Sequence, residues 1–218
     1  MISRNEQVLI SGHGAVDVCA EGNKRPPRCV YIFAHGAGAG MDHPFMINLS
    51  RALVEKDIEV VRFNFLYMQK KKSQTDKPEL AQGTIVEIMS WVKEQHPEAL
   101  IFLGGKSFGG RMASHIPLHT PGVSGLILVS YPFHAPGKPG TERSFHFKDL
   151  HLPVLVIEGT KDTFATQPHA NTALSWLKDR TVHWLEGYDH GLINKKNPQL
   201  FLELANKVDG WLIEKFNI

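Results

Sequence analysis

The serine at position 107 stands in a pattern that is typical of an enzymatic nucleophile. Residues 105–109 read Gly-Lys-Ser-Phe-Gly, after an apolar run and before a stretch with helical spacing. A serine on a tight strand-to-helix turn projects its hydroxyl away from the sheet, and the flanking glycines let neighbouring backbones pass. The helix N-terminus also favours developing negative charge. We therefore predict that Ser107 attacks a carbonyl carbon.

A nucleophilic serine needs a base, and the base needs an acid that orients it. Asp162 and His190 follow the last two apolar runs of the chain, at 154–158 and 182–185, in the order nucleophile, acid, base. Glu158 is a competing acid, but it falls within its strand. Asp189 is another, but its adjacency to His190 hinders an orienting side-chain contact. We predict Ser107, Asp162 and His190 as a catalytic triad.

Acyl transfer also requires hydrogen-bond donors for the oxyanion. The backbone N–H of Phe108, directly after the serine, is the first predicted donor. The second comes from the small-residue loop at 35–40, which follows an earlier apolar run. We predict the N–H of Ala37, with Gly36 and Gly38 as neighbouring substrate-binding positions.

The spacing of the glycines excludes two nucleotide-binding motifs. Gly105-Lys106-Ser107 resembles the end of a P-loop, but that motif requires glycine at position 100, which is Leu100. The glycines at 36, 38 and 40 suggest a dinucleotide fingerprint, but its third glycine falls on Met41. We expect no nucleotide cofactor.

The chain contains 12 histidines, a residue type that commonly binds metal ions. His115 and His119 have helical spacing, but Pro117 lies between them and no carboxylate completes a zinc motif. Three further histidines fall in one irregular segment: His134, His146 and His151. We expect no metal and no other cofactor.

The elements that would position these residues alternate between short apolar runs and stretches of helical spacing. This alternation predicts an α/β fold with a mostly parallel sheet of roughly eight strands and helices on both faces. Residues 7–10 and 15–20 predict a hairpin, and the buried strands are predicted at 29–34, 58–63, 100–103, 126–130, 154–158 and 182–185.

Helical spacing begins after positions 44, 78, 107, 168 and 198. The second of these helices has Asp76 as its predicted cap and Glu79 three residues further on. No linker separates these units, and 218 residues fit a single domain spanning 1–218.

Composition narrows the class of partner. The formal net charge of +2 favours neither nucleic acid nor an anionic membrane as a partner. No apolar run approaches the ~18 residues of a membrane span, and residues 1–6 lack a secretory pattern. With two cysteines in the chain, we expect a cytoplasmic protein. Its oligomeric state is left open.

The residues around the predicted site resemble the α/β-hydrolase superfamily, from about Arg28 to Trp211. Residues 34–43, 62–68 and 104–107 are similar to a hydrolase group that includes testis-expressed protein 30 and subunit 3 of the NSL complex. The match to dienelactone-hydrolase-like enzymes is looser. The resemblance implies a serine hydrolase acting on a small ester, thioester or amide. The NSL relative implies an alternative, a catalytically weak or inactive interaction subunit.

Many members of that superfamily carry a helical cap after the sixth strand. Here Tyr131 to Leu152 is too short for one, which predicts an open site for a small-molecule acyl substrate. Tyr67 and Tyr131 are predicted to bind substrate, although residues at strand ends can equally be core aromatics. The lysines at 70–72 lie on the same predicted edge. They either form a solvated loop or attract an anionic substrate through their positive charge.

Overall fold

Eight strands form a single sheet in the order β1-β2-β4-β3-β5-β6-β7-β8. The structure is a computed structural model, and it describes residues 1–23, 26–135, 137–138, 140, 142–193 and 197–218. The strands are β1 (Ile2–Ile10), β2 (Gly14–Gly22), β3 (Cys29–Ala34), β4 (Ile58–Phe63), β5 (Leu100–Lys106), β6 (Gly125–Val129), β7 (Val154–Gly159) and β8 (Arg180–Leu185). The helices are α1 (Pro44–Val54), α2 (Leu66–Gln69), α3 (Pro78–Gln95), α4 (Phe108–Ala113), α5 (Gln167–Leu174) and α6 (Leu200–Phe216).

The pairing of the strands confirms the predicted α/β fold. β1 pairs antiparallel with β2, and β2 pairs antiparallel with β4. From β4 to β8 every neighbouring pair is parallel. The carboxyl ends of six strands therefore meet at one edge of the sheet, where loops bring distant residues together.

Apolar side chains on alternate residues of the central strands bury both faces of the sheet. In β3, Val30 and Ile32 face the core under α3, α4 and α5, whereas Tyr31 and Phe33 face α1 and α6. A strand that is covered on both sides has no polar face, which is why the sequence of β3 is continuously apolar.

Two local features differ from the sequence prediction. Asp76 does not cap α3, because Lys77 is the N-cap residue and the Asp76 carboxylate accepts the N–H of Tyr67 instead. The helix at Ser107 has six residues, and a 3-10 turn at Ile116–Leu118 follows it. The proline at position 117, inside that turn, lacks the N–H that a longer α-helix would require.

The connection from β6 to β7 carries one 3-10 helix, Glu142–Asp149, within its described residues. This segment does not form a cap domain over the carboxyl edge, as predicted from its length. Within the described part of the chain, no helix combines the length and the apolar character that crossing a membrane requires.

Candidate active site

The turn between β5 and α4 has the geometry of a nucleophile elbow. Ser107 has φ 53° and ψ −116°, in a region that residues with side chains rarely occupy. Its N–H donates to the carbonyl of Val129 at 2.9 Å, which holds the turn against β6. A Cβ atom at Gly105 or Gly109 would lie only 2.2 or 2.3 Å from the carbonyl oxygen of Ala34. Glycine at both positions is therefore what allows this turn to pack against β3.

The structure brings the three predicted triad residues into one chain of hydrogen bonds. The Nε2 atom of His190 lies 2.8 Å from the Oγ atom of Ser107, and its Nδ1 atom lies 2.7 Å from Oδ2 of Asp162. Because an ionised carboxylate only accepts, Nδ1 carries the imidazole proton and Nε2 is free to accept from the serine hydroxyl. This is the tautomer that a general base requires.

Asp162 and His190 lie in contrasting surroundings. The Asp162 side chain is fully buried, and its Oδ1 atom accepts the N–H of Phe164 at 2.7 Å. The His190 side chain is 24% exposed, and the ring of Phe164 packs against its imidazole with a centroid separation of 4.3 Å. The Asp162 carboxyl group is thus shielded from water, while the His190 imidazole is accessible from the solvent.

The two competing acids have other partners. Glu158 is fully buried and accepts the N–H of Tyr131. Burial and then the charge of Asp162 raise the pKa of Glu158 well above its usual value, which favours a neutral carboxyl group. Asp189 accepts the N–H of Gly191 at 2.9 Å. Of the three acids considered, Asp162 is the one bonded to His190.

The loop after β3 lies beside the serine. A Cβ atom built on Gly36 would be 3.6 Å from the Cβ of Ser107. Among the described residues, the N–H groups of Ala37 and Phe108 have no acceptor. The N–H of Gly38, in contrast, donates to the Tyr67 hydroxyl at 3.0 Å. Of these two loop residues, Gly38 is therefore not a free donor, whereas the N–H of Ala37 has no acceptor among the described residues.

Buried polar groups that the sequence analysis did not assign hold this loop in place. Arg62 donates to the carbonyl of Met41 at 2.5 Å, and Asn64 accepts the N–H of Met41 at 3.0 Å. Arg62 is a charged residue within the apolar run at 58–63, and this placement in the sequence indicates that its side chain has a buried partner.

His35 joins the same loop to the segment after β4. Its Nε2 atom accepts the N–H of Phe65 at 3.1 Å, so its Nδ1–H donates to the carbonyl of Gly36 at 2.8 Å. Burial lowers the pKa of His35 to about 4, and the imidazole is neutral at pH 7.

The structure corrects the prediction that Tyr67 and Tyr131 bind substrate directly. Tyr131 is fully buried against Phe133 and Phe147, and its hydroxyl donates to the carbonyl of Arg143 at 2.7 Å. Tyr67 is also buried, and its hydroxyl shapes the loop through Gly38. Tyr131 is thus a core residue, and Tyr67 supports the loop from behind.

His115, His134 and His146, three of the five histidines named as candidate metal ligands, contact other side chains. His146 stacks on His115 with a centroid separation of 3.7 Å and bonds Ser114 at 2.8 Å. His134 bonds the hydroxyl of Thr166 at 2.9 Å. No group of three or more histidine, cysteine, aspartate or glutamate side chains in the described ranges could hold a metal ion.

The sheet order, the elbow and the loops at its carboxyl edge define an α/β-hydrolase fold. The family model described as alpha/beta hydrolase domain matches residues 27–206, and the chain belongs to this family.

Solved structures with the same fold cover nearly the whole chain. An α/β serine hydrolase without lid from Xanthomonas campestris is 22% identical, with a TM-score of 0.70 and coverage of 97% of this chain and 92% of that one. The esterase domain of a Rhodothermus marinus protein is 14% identical, with a TM-score of 0.78 and coverage of 98% and 99%. Dienelactone hydrolase from Anabaena variabilis is 14% identical, with a TM-score of 0.76 and coverage of 97% and 98%.

Proposed function

We propose that this chain is a serine hydrolase of the carboxylesterase type that acts through an acyl-enzyme intermediate. The observation that carries the proposal is the continuous set of hydrogen bonds from Ser107 through His190 to Asp162, at 2.8 and 2.7 Å. Its placement on an elbow at the end of β5, beside a loop with an unbonded N–H, supports acyl transfer.

In the first step, Nε2 of His190 takes the hydroxyl proton as Oγ of Ser107 bonds to the substrate carbonyl carbon. The carbonyl π electrons move to oxygen, and the N–H groups of Ala37 and Phe108 stabilise the negative charge. The tetrahedral intermediate then collapses, and the leaving group takes the proton from Nε2. Asp162 stays ionised and stabilises the imidazolium.

In the second step, a water molecule attacks the acyl carbon while His190 removes its proton. The new tetrahedral intermediate releases the acid product, and Oγ of Ser107 recovers its proton from Nε2. Each step uses the same base and the same oxyanion donors, so the chain's own residues suffice for the full cycle.

The proposed substrate is a small ester or thioester. The short β6–β7 connection leaves the carboxyl edge open, and relatives of this fold include an esterase domain and a dienelactone hydrolase. A groove of about 410 Å³ is lined in part by Thr163, Thr166 and Pro168, which belong to the same segment as Phe164, the residue that packs on His190. We propose that this groove receives one side of the ester.

We also propose that the protein works in the cytoplasm. Cys19 and Cys29 are both buried and free, which suits a reducing compartment.

A fluorophosphonate probe tests the function directly, because it reacts with an activated serine. We expect labelling of the wild type and turnover of short p-nitrophenyl esters. Both should be lost in Ser107→Ala, with labelling retained in the control Ser90→Ala, whose hydroxyl bonds the backbone of α3. A folded wild type that neither reacts nor turns over any ester or thioester would contradict the proposal and favour the interaction-subunit alternative.

A further inference from the structure

Lys106, the residue before the nucleophile, reaches the backbone of the catalytic base. Its Nζ atom donates to the carbonyl oxygen of His190 at 2.5 Å and to the hydroxyl of Ser130 at 3.1 Å. The ammonium group therefore connects the end of β5 with the end of β6 and with the loop after β8. Adjacent residues, Lys106 and Ser107, hold His190 at its backbone and at its imidazole.

The surroundings of Lys106 are unusual for a lysine. The side chain is mostly buried, and the ring of Phe45 in α1 lies 4.7 Å from Nζ. The titratable groups that face it are Glu158 and Asp162 at the end of β7 and Asp189 after β8. Burial lowers the pKa of Lys106 to about 8, although these acids act in the opposite direction.

The loop that carries His190 is held at several points, but its own bonds do not include the His190 carbonyl. Described residues 186–193 contain neither helix nor strand, and Leu192 adopts a positive φ of 50°. The N–H groups at positions 187, 188, 191 and 192 donate to Thr160, Leu185 and Asp189, and the N–H of Lys161 donates to the carbonyl of Tyr188. Among the described residues, Lys106 is the group that bonds the carbonyl of His190, and this bond joins the carbonyl to the elbow.

We propose that Lys106 is a positioning residue that holds the His190 backbone so that the imidazole meets both Ser107 and Asp162. The inference rests on the serine-hydrolase function proposed above. Lys106 does not touch the reacting atoms, and it acts through the position of the base. Displacement of a catalytic group by about 1 Å is enough to lower a rate by about 100-fold.

Lys106→Met tests this role, because methionine fills a similar space without donating a hydrogen bond. We expect kcat to fall by about 10- to 100-fold, with KM changed by less than about threefold, since ground-state binding does not use the base. Lys93→Met is the matched control. It also removes a bond from a lysine to a backbone carbonyl, that of Pro121 at 3.1 Å, but on α3. It should leave kcat unchanged.

A spectroscopic measurement separates this inference from the proposed function. The proton between His190 and Asp162 should give a far-downfield ¹H NMR resonance in the wild type and in Ser107→Ala, whether or not esters are turned over. We expect this resonance to broaden or disappear in Lys106→Met and to persist in Lys93→Met. A resonance that persists unchanged in Lys106→Met would overturn the positioning role.

The pH profile of the wild type keeps the inference testable if Lys106→Met does not fold. Burial lowers the pKa of Lys106, so for an uncharged ester the wild-type kcat should fall at alkaline pH as Lys106 becomes neutral and donates more weakly. In a folded Lys106→Met this alkaline fall should be absent. A wild-type kcat that stays level up to the pH at which the fold is lost would overturn the inference, whereas a wild type inert at every pH and unlabelled by the probe would overturn the proposed function.

Discussion

Two carboxyl groups lie four residues apart at the end of β7, and their surroundings favour opposite charge states. Asp162 bonds the N–H of Phe164 and the imidazole of His190, which suits a carboxylate. Glu158 is buried with one oxygen unpartnered among the described residues, and its pKa is raised well above the usual value. A strand end can thus supply one charged acid for the base and one neutral acid for the core.

Substitution by the matching amide distinguishes these two acids. Asp162→Asn should lower kcat by about 10³-fold or more at pH 7, because the amide favours the wrong imidazole tautomer. Glu158→Gln should retain kcat within about threefold, since its amide oxygen can still accept the N–H of Tyr131. Steady-state kinetics on one ester measures both. A larger loss in Glu158→Gln than in Asp162→Asn would assign the roles the other way round.

Helix α4 approaches β3 more closely than side chains normally allow. Gly109 lies over the carbonyl of Ala34, where an added Cβ would be 2.3 Å from oxygen. Because that obstacle is backbone, it cannot turn aside as a flexible side chain would. The position of Ser107 therefore depends on a helix that packs on the sheet through glycine.

Two glycine-to-alanine substitutions should change stability in opposite directions. Gly109→Ala should lower the free energy of unfolding by roughly 2 kcal/mol or more through overpacking. Gly83→Ala, in α3 with open space around the added methyl group, should raise it by roughly 0.5–1 kcal/mol. Urea unfolding of the two variants and the wild type measures both values. Equal changes in the two variants would contradict the packing argument.

Much of the fold could be predicted because burial leaves a clear pattern in the sequence. The predicted bounds of β3 and β4, 29–34 and 58–63, agree with the structure because both strands are covered on both faces. The hairpin extends further than predicted, to Ile2–Ile10 and Gly14–Gly22, and the added first half of β1 is mostly exposed and polar, so it lacks an apolar pattern. The four-residue helix α2 is too short to show a helical period.

The positions of the predicted triad follow from chain order and strand ends, which sequence can reveal. The supporting contacts do not, because they depend on where a side chain points at the end of its strand. Tyr131 and Tyr67 had the right type and placement for a pocket, but both point into the interior. The partners of Arg62 and Lys106 lie in segments far apart in sequence, and no local pattern identifies them.

Several histidines distributed over the fold lie in surroundings that favour the neutral imidazole. Burial lowers the pKa of His35 to about 4 and that of His146 to about 3, the second also through the charges of His115 and Arg111. The unfolded chain binds protons at these sites near pH 6.5, so their contribution to stability is present above that pH and is lost as the pH falls toward the folded values. The raised pKa of Glu158 has the opposite effect, because its contribution to stability is present at low pH and is lost as the pH rises.

A comparison of variants isolates the histidine contribution from that of Glu158. His146→Phe keeps an aromatic ring beside His115 but cannot titrate. Its loss of unfolding free energy between pH 7 and pH 5 should be smaller than that of the wild type by roughly 1–2 kcal/mol. His13→Gln, on the exposed hairpin turn, serves as the control and should match the wild type. An identical pH dependence in His146→Phe would show that His146 does not resist protonation in the folded state.

The order of the strands along the chain also affects when chemistry becomes possible during synthesis. Ser107 leaves the ribosome with β5, but Asp162 follows β7 and His190 follows β8, at the far edge of the sheet. A nascent chain that has already folded its hairpin and central strands therefore carries the serine without its base. On the proposed function, the serine becomes reactive only once the last strand and the loop after it are in place, so we expect unfinished chains not to react with cellular esters.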